Sequence, residues 1–291
     1  MACPAGYKAA TPEKTVPFEK PVIFGTIVEL NMLKNYVEDS IFLLRGQYAI
    51  LCQFAHPRLA EGSYKHSNFA ARLLNRLKTT SCFLNAAVYG TQAEKEAIFS
   101  VIHGAHSSVK GENYYADDPE LHKWTAATLF MALVVVYEAF FGKLSREKLE
   151  ALFKESAVYG TSLRIPPEMW PATLDDFWVY WNHNIETLEV TNWAKSLCND
   201  FMWPKHIPIY LKPLGPLGRL LTIAWLPERF AREYGLQLKP FRRGLYYYFV
   251  GWTAITYPLI PRRLQMATSK MYMKDLKKAV KQIEKTGTWK E

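Results

Sequence analysis

The sequence has little of what marks several large classes of protein. Its 291 residues contain only four cysteines, Cys3, Cys52, Cys82 and Cys198, and no two of them share the short spacing of a metal-binding knuckle. Such scattered thiols exclude a disulfide framework and a cysteine-based zinc site, and they favour a reducing, intracellular setting. The HExxH zinc motif, internal repeats and low-complexity tracts are absent as well.

Long apolar runs are also scarce. Residues 1–20 contain charges and prolines where a secretory signal needs an apolar core, so we expect no secretion signal. The longest apolar stretches, at 128–141 and 245–260, are each shorter than the roughly 18 to 20 residues that span a bilayer. Arginine pairs flank the second stretch. It is therefore either a buried core helix or a helix at a membrane surface, and both interpretations stay open.

Helical periodicity, by contrast, runs through nearly the whole chain. Apolar residues make up 49% of the sequence and recur at spacings of three and four. The pattern predicts helices at residues 28–54, 71–89, 91–109, 119–141, 145–159, 175–195, 217–231, 240–257 and 262–285. We expect an all-α fold with one helical domain at 26–285, comprising a front part at 26–200 and C-terminal helices at 201–285, behind an N-terminal extension at 1–25.

Two helix starts have recognisable caps. Thr91 and Glu94 have the spacing of a capping box, in which each side chain satisfies a free backbone N–H of the first turn. Asp118 precedes Pro119, which is the order of an N-cap followed by a proline that needs no hydrogen bond. Asp118 is therefore interpreted as a cap rather than as a catalytic carboxylate.

Positive charge collects near the C-terminus. The net charge is +9, and from Arg262 onward nine basic residues face three acidic ones. The helix predicted there is either a packed helix with a solvated outer face or a basic strip that rests on anionic lipid. A nucleic-acid partner is not expected, because no binding motif accompanies the charge.

Two histidines lie three residues apart in the segment IFSVIHGAHSSVKG. At about 100° per residue, the apolar stripe around Ile98 faces inward, His106 lies about 80° from its centre, and His103 lies about 140° away. His103 is therefore expected to face outward or toward a neighbouring loop. In the preceding predicted helix, Arg76 and Thr80 border the apolar face and need polar partners there. The geometry directs these two residues and His106 toward one interior.

An inward imidazole has two interpretations. It is either a hydrogen-bonded core histidine or, in its neutral form, a ligand for iron or zinc. Zinc usually takes three protein ligands, whereas one histidine suffices for a haem iron. The residues alone leave both interpretations open.

Six short motifs then follow one another along the chain: His56-Pro57, His66-Ser67-Asn68-Phe69, Arg76-Leu77-Lys78-Thr79-Thr80, Tyr89-Gly90-Thr91, His106-Ser107-Ser108-Val109-Lys110-Gly111 and Tyr115-Ala116-Asp117-Asp118-Pro119. Their order resembles the catalytic domain shared by bacterial rubber oxygenase (latex-clearing protein) and the fungal endoplasmic-reticulum-bound oxygenases of meroterpenoid and polyketide pathways. The resemblance extends from about residue 40 to residue 270.

The resemblance implies a globin-like helical core around haem b, with His106 as the protein ligand of the iron. The arginine and threonine of the family fall on Arg76 and Thr80. Thr79 stands where rubber oxygenase has a lysine that reaches the far side of the iron, and Lys78 faces away. The far side of the iron is therefore left to His66 or to an open, water-filled position.

The implied function is a haem b-dependent oxygenase of secondary metabolism that uses O₂ or peroxide on a hydrophobic natural-product, isoprenoid or polyketide intermediate. Its expected catalytic residues are Arg76, Thr80 and His66, and its expected cofactor-binding residues are His106, Arg76, Phe99 and Thr80. The alternatives are a non-oxidative cyclase or isomerase and a membrane-associated haem- or lipid-binding protein. We expect a cytoplasmic protein or one that is peripheral on the endoplasmic reticulum membrane, with possible contact through the basic C-terminal helix.

Overall fold

The computed structural model describes residues 29–67, 73–112, 114–205 and 207–289. The expected extension at 1–25 and the motif residues Asn68 and Phe69 lie outside these ranges. Within them the fold is all-α and forms a single domain, which confirms the predicted fold class. No strand occurs in the described ranges, and an isolated bridge joins Lys110 to Tyr115. A globin-like arrangement of the helices stays a prediction.

The helices cover most of the described chain. They are α1 (Met32–Glu38), α2 (Arg45–Phe54), α3 (Pro57–His66), α4 (Leu73–Tyr89), α5 (Gln92–Ser107), α6 (Pro119–Phe141), α7 (Arg146–Ser162), α8 (Leu174–Thr187), α9 (Asn192–Met202), α10 (Leu214–Trp225), α11 (Glu228–Glu233), α12 (Pro240–Thr256), α13 (Arg262–Gln265) and α14 (Ala267–Thr286). Short 3-10 turns at Ser40–Leu44 and Tyr257–Leu259 join neighbouring helices.

Helix α6 forms the centre of the fold. The Asp118 carboxylate accepts a hydrogen bond from the backbone N–H of Glu120 at 2.9 Å, which confirms the predicted cap. The helix is apolar on nearly every side, and it packs most extensively against α2 and α7. The Trp124 indole donates to the Cys52 carbonyl at 3.0 Å and so joins α6 to α2.

The length of α6 corrects one expectation from the sequence. By length and composition alone, the 23 residues of α6 could cross a bilayer. The apolar run at 128–141, on which the expectation was based, is only the second part of this helix. In the fold, however, 72% of its most apolar window is buried against other helices. A core helix meets the same criteria of length and composition as a membrane span, so only the packing distinguishes the two.

Some predicted helices are interrupted. The segment 28–54 contains α1, a 3-10 turn and α2, because the Asp39 side chain accepts from the Ile41 N–H at 3.1 Å and starts the turn. Pro227 separates α10 from α11, and the segment 175–195 is divided after Thr187. Helix α3 was not predicted at all. The capping box of Thr91 and Glu94 at the start of α5 is present as expected.

The two C-terminal segments differ in how they pack. Helix α14 buries Leu276, Ala279 and Val280 against α4 and α5 while its lysines are exposed. It is therefore a packed helix, and a contact of its basic strip with anionic lipid stays a prediction. Helix α12 has no buried residue. The interpretation of segment 245–260 as a buried core helix is therefore wrong, and its interpretation as a helix at a membrane surface stays a prediction.

A buried carboxylate holds the N-terminus of α1. Glu155 of α7 accepts hydrogen bonds from the backbone N–H groups of Met32 at 3.1 Å and Leu33 at 2.7 Å. Glu155→Ala leaves both donors without this acceptor, so the free energy of unfolding should fall by about 1–3 kcal/mol in urea denaturation. Glu155→Gln retains one acceptor oxygen and should lose less. An unchanged urea midpoint in the alanine variant would contradict this account.

Candidate functional site

A cavity of about 200 Å³ lies between α2, α4, α5 and α6, and Tyr272 of α14 contributes to its wall. Most of the side chains that line it are apolar, among them Phe42, Ile50, Phe83, Leu84, Ile102 and Leu129. Its polar lining includes Arg45, Gln53, Thr79, Thr80, Thr125 and His106. A cavity of this kind suits an apolar ligand that a small number of polar groups orient.

His106 is buried near the C-terminal end of α5, with 5% of its surface exposed. Burial lowers the pKa of this imidazole well below the ordinary value, and the neighbouring His122 lowers the pKa further. The ring is therefore neutral at physiological pH, which is the form that binds a metal. His106 lines the large cavity and also a second, much smaller one.

The second cavity is polar and has room for about one water molecule or ion. Its volume is about 10 Å³, close to the minimum that one water molecule needs. His106, Asp117 and His122 line it, and their potential ligand atoms all lie within 4.8 Å of one another. The His106 and His122 ring centroids are 5.2 Å apart.

The orientation of His122 is fixed by the backbone. Its Nδ1 lies 2.8 Å from the Leu163 carbonyl, and because a carbonyl only accepts, Nδ1 carries the proton. Nε2 then has the free lone pair, and it is a buried atom without a hydrogen bond in the described structure. Burial lowers the pKa of this histidine, against the smaller opposing effects of Asp117 and of the Leu163 and Ala116 carbonyls. This tautomer is the one that metal-ligating histidines with a backbone partner adopt.

Asp117 completes the polar cluster. One carboxylate oxygen lies 3.2 Å from Nδ1 of His103 and 3.7 Å from a guanidinium nitrogen of Arg164. Arg164 also contacts the His103 ring. His103 therefore packs against the loop that precedes α6, as the helix geometry predicted, and it lines the small cavity rather than the large one.

The residues expected from α4 are found in different surroundings. Thr80 is half-buried and lines the large cavity, as does the buried Thr79, whose hydroxyl donates to the Asn75 carbonyl at 2.9 Å. Arg76 is buried, donates to the Ser67 hydroxyl and contributes to the lowered pKa of His106, but it lines neither cavity. Lys78 lines neither cavity, in agreement with its expected outward direction.

Two further expected residues lie apart from the large cavity. His66 is exposed at the end of α3, where its Nε2 is 2.7 Å from the Tyr114 hydroxyl, and it lines neither cavity. The structure does not bring His66 to His106. Phe99 is buried beside the small cavity, with its ring centroid 5.4 Å from that of Phe83, which lines the large one.

Sequence reasoning missed Arg45, Asp117 and His122. Arg45 interrupts the apolar sequence IFLLRGQYAILC, and Glu38 and Asp39 are the acidic residues nearest to it. That isolation was a usable signal, because an arginine in an apolar helix needs a partner from elsewhere. Asp117 and His122 stand beside the Asp118 cap in sequence, and only the tertiary structure brings them to His106 of α5.

The sequence matches the family described as "ER-bound oxygenase mpaB/B'/Rubber oxygenase, catalytic domain" over residues 34–255. It is similar to "Uncharacterized protein Mb2261" of Mycobacterium bovis and to "Uncharacterized protein Rv2237" of Mycobacterium tuberculosis. In both cases the identity is 24% over 220 residues, which cover 74% of this chain and 84% of the relative. No solved structure matches the chain.

The lowered pKa of His106 predicts a dependence of stability on pH. Below about pH 6.5 the unfolded histidine binds a proton that the folded one does not, so stability is present above that pH and is lost as pH falls toward the folded pKa. His106→Gln should reduce the slope of unfolding free energy against pH by up to about 1.4 kcal/mol per unit in this window. His56, whose pKa is lowered to about 4, contributes equally to this slope in the unaltered protein and in His106→Gln. Equal slopes in urea unfolding would contradict the burial of a neutral His106.

Proposed function

We propose, since the chain belongs to the family of ER-bound and rubber oxygenases, that it is a haem b-dependent oxygenase in which His106 is the protein ligand of the iron. One observation carries the proposal. His106 is a buried, neutral imidazole between an apolar cavity and a polar cluster. The apolar cavity offers space for an apolar ligand, and the polar cluster offers groups that can orient the His106 imidazole.

The residues fit this cofactor in their chemistry. A neutral histidine in a mostly apolar, helical cavity is a suitable environment for a haem iron. The cavity, at about 200 Å³, is smaller than the roughly 300–1,000 Å³ of pockets for larger ligands. Side chains that line it must therefore move when a porphyrin binds.

When bound, the iron would supply the activation of O₂ or peroxide. The chain's own residues would then position the O₂ or peroxide and stabilise the negative charge that develops on it. The half-buried Thr80 hydroxyl makes no hydrogen bond with another described residue, so it is available to donate to oxygen in the cavity. Arg76 lines neither cavity, but its positive charge helps to lower the pKa of His106, and it would act on negative charge that develops near His106 through the same long-range electrostatic effect. His66 has no role in this proposal, because it is exposed and bonded to Tyr114.

The apolar lining favours a hydrophobic substrate such as an isoprenoid or polyketide intermediate. In the family's reaction class, one O₂ cleaves one carbon–carbon double bond. Both bonds between the two carbons break, each carbon gains one oxygen atom, and two carbonyl groups form. The overall reaction therefore balances without consumption of an external reductant in each turnover.

A second candidate keeps the oxygenase activity but not the porphyrin. His106, His122 and Asp117 form the set of two histidines and one carboxylate that binds iron in non-haem oxygenases. Their ligand atoms already lie within 4.8 Å of one another, around a space that holds about one ion. This site would need no enlargement of the large cavity.

The absorption spectrum and the iron content of the purified protein separate the two candidates. Protein from cells supplied with iron and a haem precursor should show a Soret band that is lost in His106→Ala and retained in His103→Ala and His122→Gln. A colourless protein with one iron per chain, lost in His106→Ala, His122→Gln and Asp117→Asn alike, would favour the non-haem site.

Other outcomes contradict the proposal. A protein with neither iron nor a Soret band would overturn both candidates and would favour the cyclase or isomerase. A red protein that consumes no O₂ or peroxide with isoprenoid and polyketide substrates would favour a haem carrier.

A further inference from the structure

Arg45, the first residue of α2, is a buried cation on the wall of the large cavity. Its surface is 7% exposed, and its Nη1 is a buried atom without a hydrogen bond. No acidic residue of the described ranges forms an ion pair with it. The hydroxyl of Tyr159 is likewise a buried atom without a hydrogen bond in the described structure.

Such a guanidinium is costly in the ligand-free fold. Burial lowers the pKa of Arg45, the opposite of what a carboxylate partner does. An arginine nevertheless keeps its proton in proteins, so within the described ranges a buried positive charge stands without an acidic partner. A charge that the surrounding described side chains do not pair can be paired by a ligand.

We propose that Arg45 binds the carboxylate of an amphipathic ligand whose apolar body fills the large cavity. The planar guanidinium donates two parallel hydrogen bonds to a carboxylate, and the bonds are strong where water is excluded. The neighbouring cavity wall, with Phe42, Ala49 and Ile50, offers no second anchoring charge. The ligand is therefore fixed at one end by its acid and held along its length by apolar contacts.

Two sources have this chemistry. One is a substrate acid, such as an isoprenoid or fatty acid, whose orientation Arg45 would set. The other is a propionate of the proposed haem, and only this second source rests on the proposed function. Both belong to the same site, and binding measurements without turnover distinguish them.

The test compares Arg45→Met, which removes the charge at similar length, with Arg45→Lys, which keeps the charge but not the planar fork. Calorimetry with a long-chain fatty acid and the alcohol of equal length should give an affinity at least about tenfold higher for the acid in the unaltered protein. Arg45→Met should lose this preference, and Arg45→Lys should retain part of it. Arg58→Met is the matched control, because Arg58 is exposed and pairs with Asp118 at 3.2 Å.

Haem titration of the same variants identifies the source. Weaker haem retention in Arg45→Met assigns the propionate, and unchanged haem retention with a lost acid preference assigns the substrate. The ligand-free Arg45→Met protein should melt at the same temperature or higher, because an unpaired buried charge is gone. Equal binding of acid, alcohol and haem by Arg45→Met and the unaltered protein would overturn the proposal. If the protein prefers the acid but shows no Soret band, the Arg45 proposal is supported and the haem proposal fails.

A different observation carries a second inference, which concerns the surface of α12. Large apolar side chains cover its outer face and continue past its end: Phe241, Tyr248, Trp252, Ile255, Leu259 and Leu264 are each 57% to 79% exposed. We call these six residues the α12 face. A contiguous exposed apolar face of this kind marks an interaction site rather than an ordinary surface.

The charges around the α12 face indicate its partner. Arg242 and Arg243 lie at its start and Arg262 and Arg263 at its end, all exposed, and residues 240–265 contain no Asp or Glu. Arg262 pairs with Asp39 at 2.8 Å, whereas Arg242, Arg243 and Arg263 have no ion pair with a described residue, and a second copy of the chain would bring these three cations against three more. Aromatic side chains between clusters of arginine are typical of helices that lie in the interface of an anionic membrane.

The α12 face is also connected to the large cavity. The Tyr257 hydroxyl bonds to Asp39 and accepts from the Ile41 N–H at 3.2 Å, and Arg262 donates to Asp39 at 2.8 Å. The next residues, Phe42 and Leu43, line the cavity. We infer that the α12 face rests on an anionic lipid surface, with the cavity wall beside the region where an apolar ligand would leave the bilayer.

Co-sedimentation of the full chain with vesicles tests this inference. The protein should bind phosphatidylserine-containing vesicles better than phosphatidylcholine vesicles, and Trp252→Ser with Ile255→Ser should weaken binding at least about tenfold. Removing the charges of Arg242 and Arg243 should weaken vesicle binding more than the matched control, which is Lys277→Gln with Lys278→Gln on α14. High salt should weaken the binding without abolishing it, since apolar contacts are not screened.

Two results would sink the lipid assignment. The first is an equal distribution of the serine variant and the unaltered chain between vesicles and solution. The second is a dimer of the unaltered chain in analytical ultracentrifugation that the serine variant cannot form, because the α12 face would then belong to a second copy.

Discussion

The burial of α6 is the constraint on which the rest of the structure depends. This helix is apolar on nearly all sides, so neighbouring helices must cover it, and α2 and α7 do so most extensively. Its first turn, however, bears His122, and the residue before its cap is Asp117. Burying the helix therefore also draws a histidine and a carboxylate into the interior beside His106, where they need partners.

The candidate site lies where an apolar cavity meets this polar cluster. His106 belongs to both, and Arg45 adds a positive charge on the apolar side. Neither His106 nor Arg45 is arranged for stability alone. The neutral buried imidazole lowers stability in acid, and a buried guanidinium with no acidic partner in the described part of the chain is costly at any pH. Proteins retain such groups mainly where a ligand or a reaction uses them.

Local chemistry was readable from the chain. The caps at Thr91 and Asp118 each depend on residues within three positions of one another, and both are present. The inward direction of His106 followed from helix geometry alone. The break at Asp39 was missed because the apolar spacing continues through the 3-10 turn that follows it. The surface position of α12 was left open, because an apolar helix looks the same in sequence whether a core or another partner covers it.

The sequence by itself determined the all-α class, most helix bounds, the order of the family's motifs and the inward face of α5, because these follow from neighbours along the chain. Only the tertiary structure decided that Asp117 and His122 meet His106, that Arg45 shares its cavity, and that His66 does not. Arg45 and His106 are far apart in sequence and belong to different helices. Their proximity depends on how helices pack around α6, and no local pattern encodes that packing.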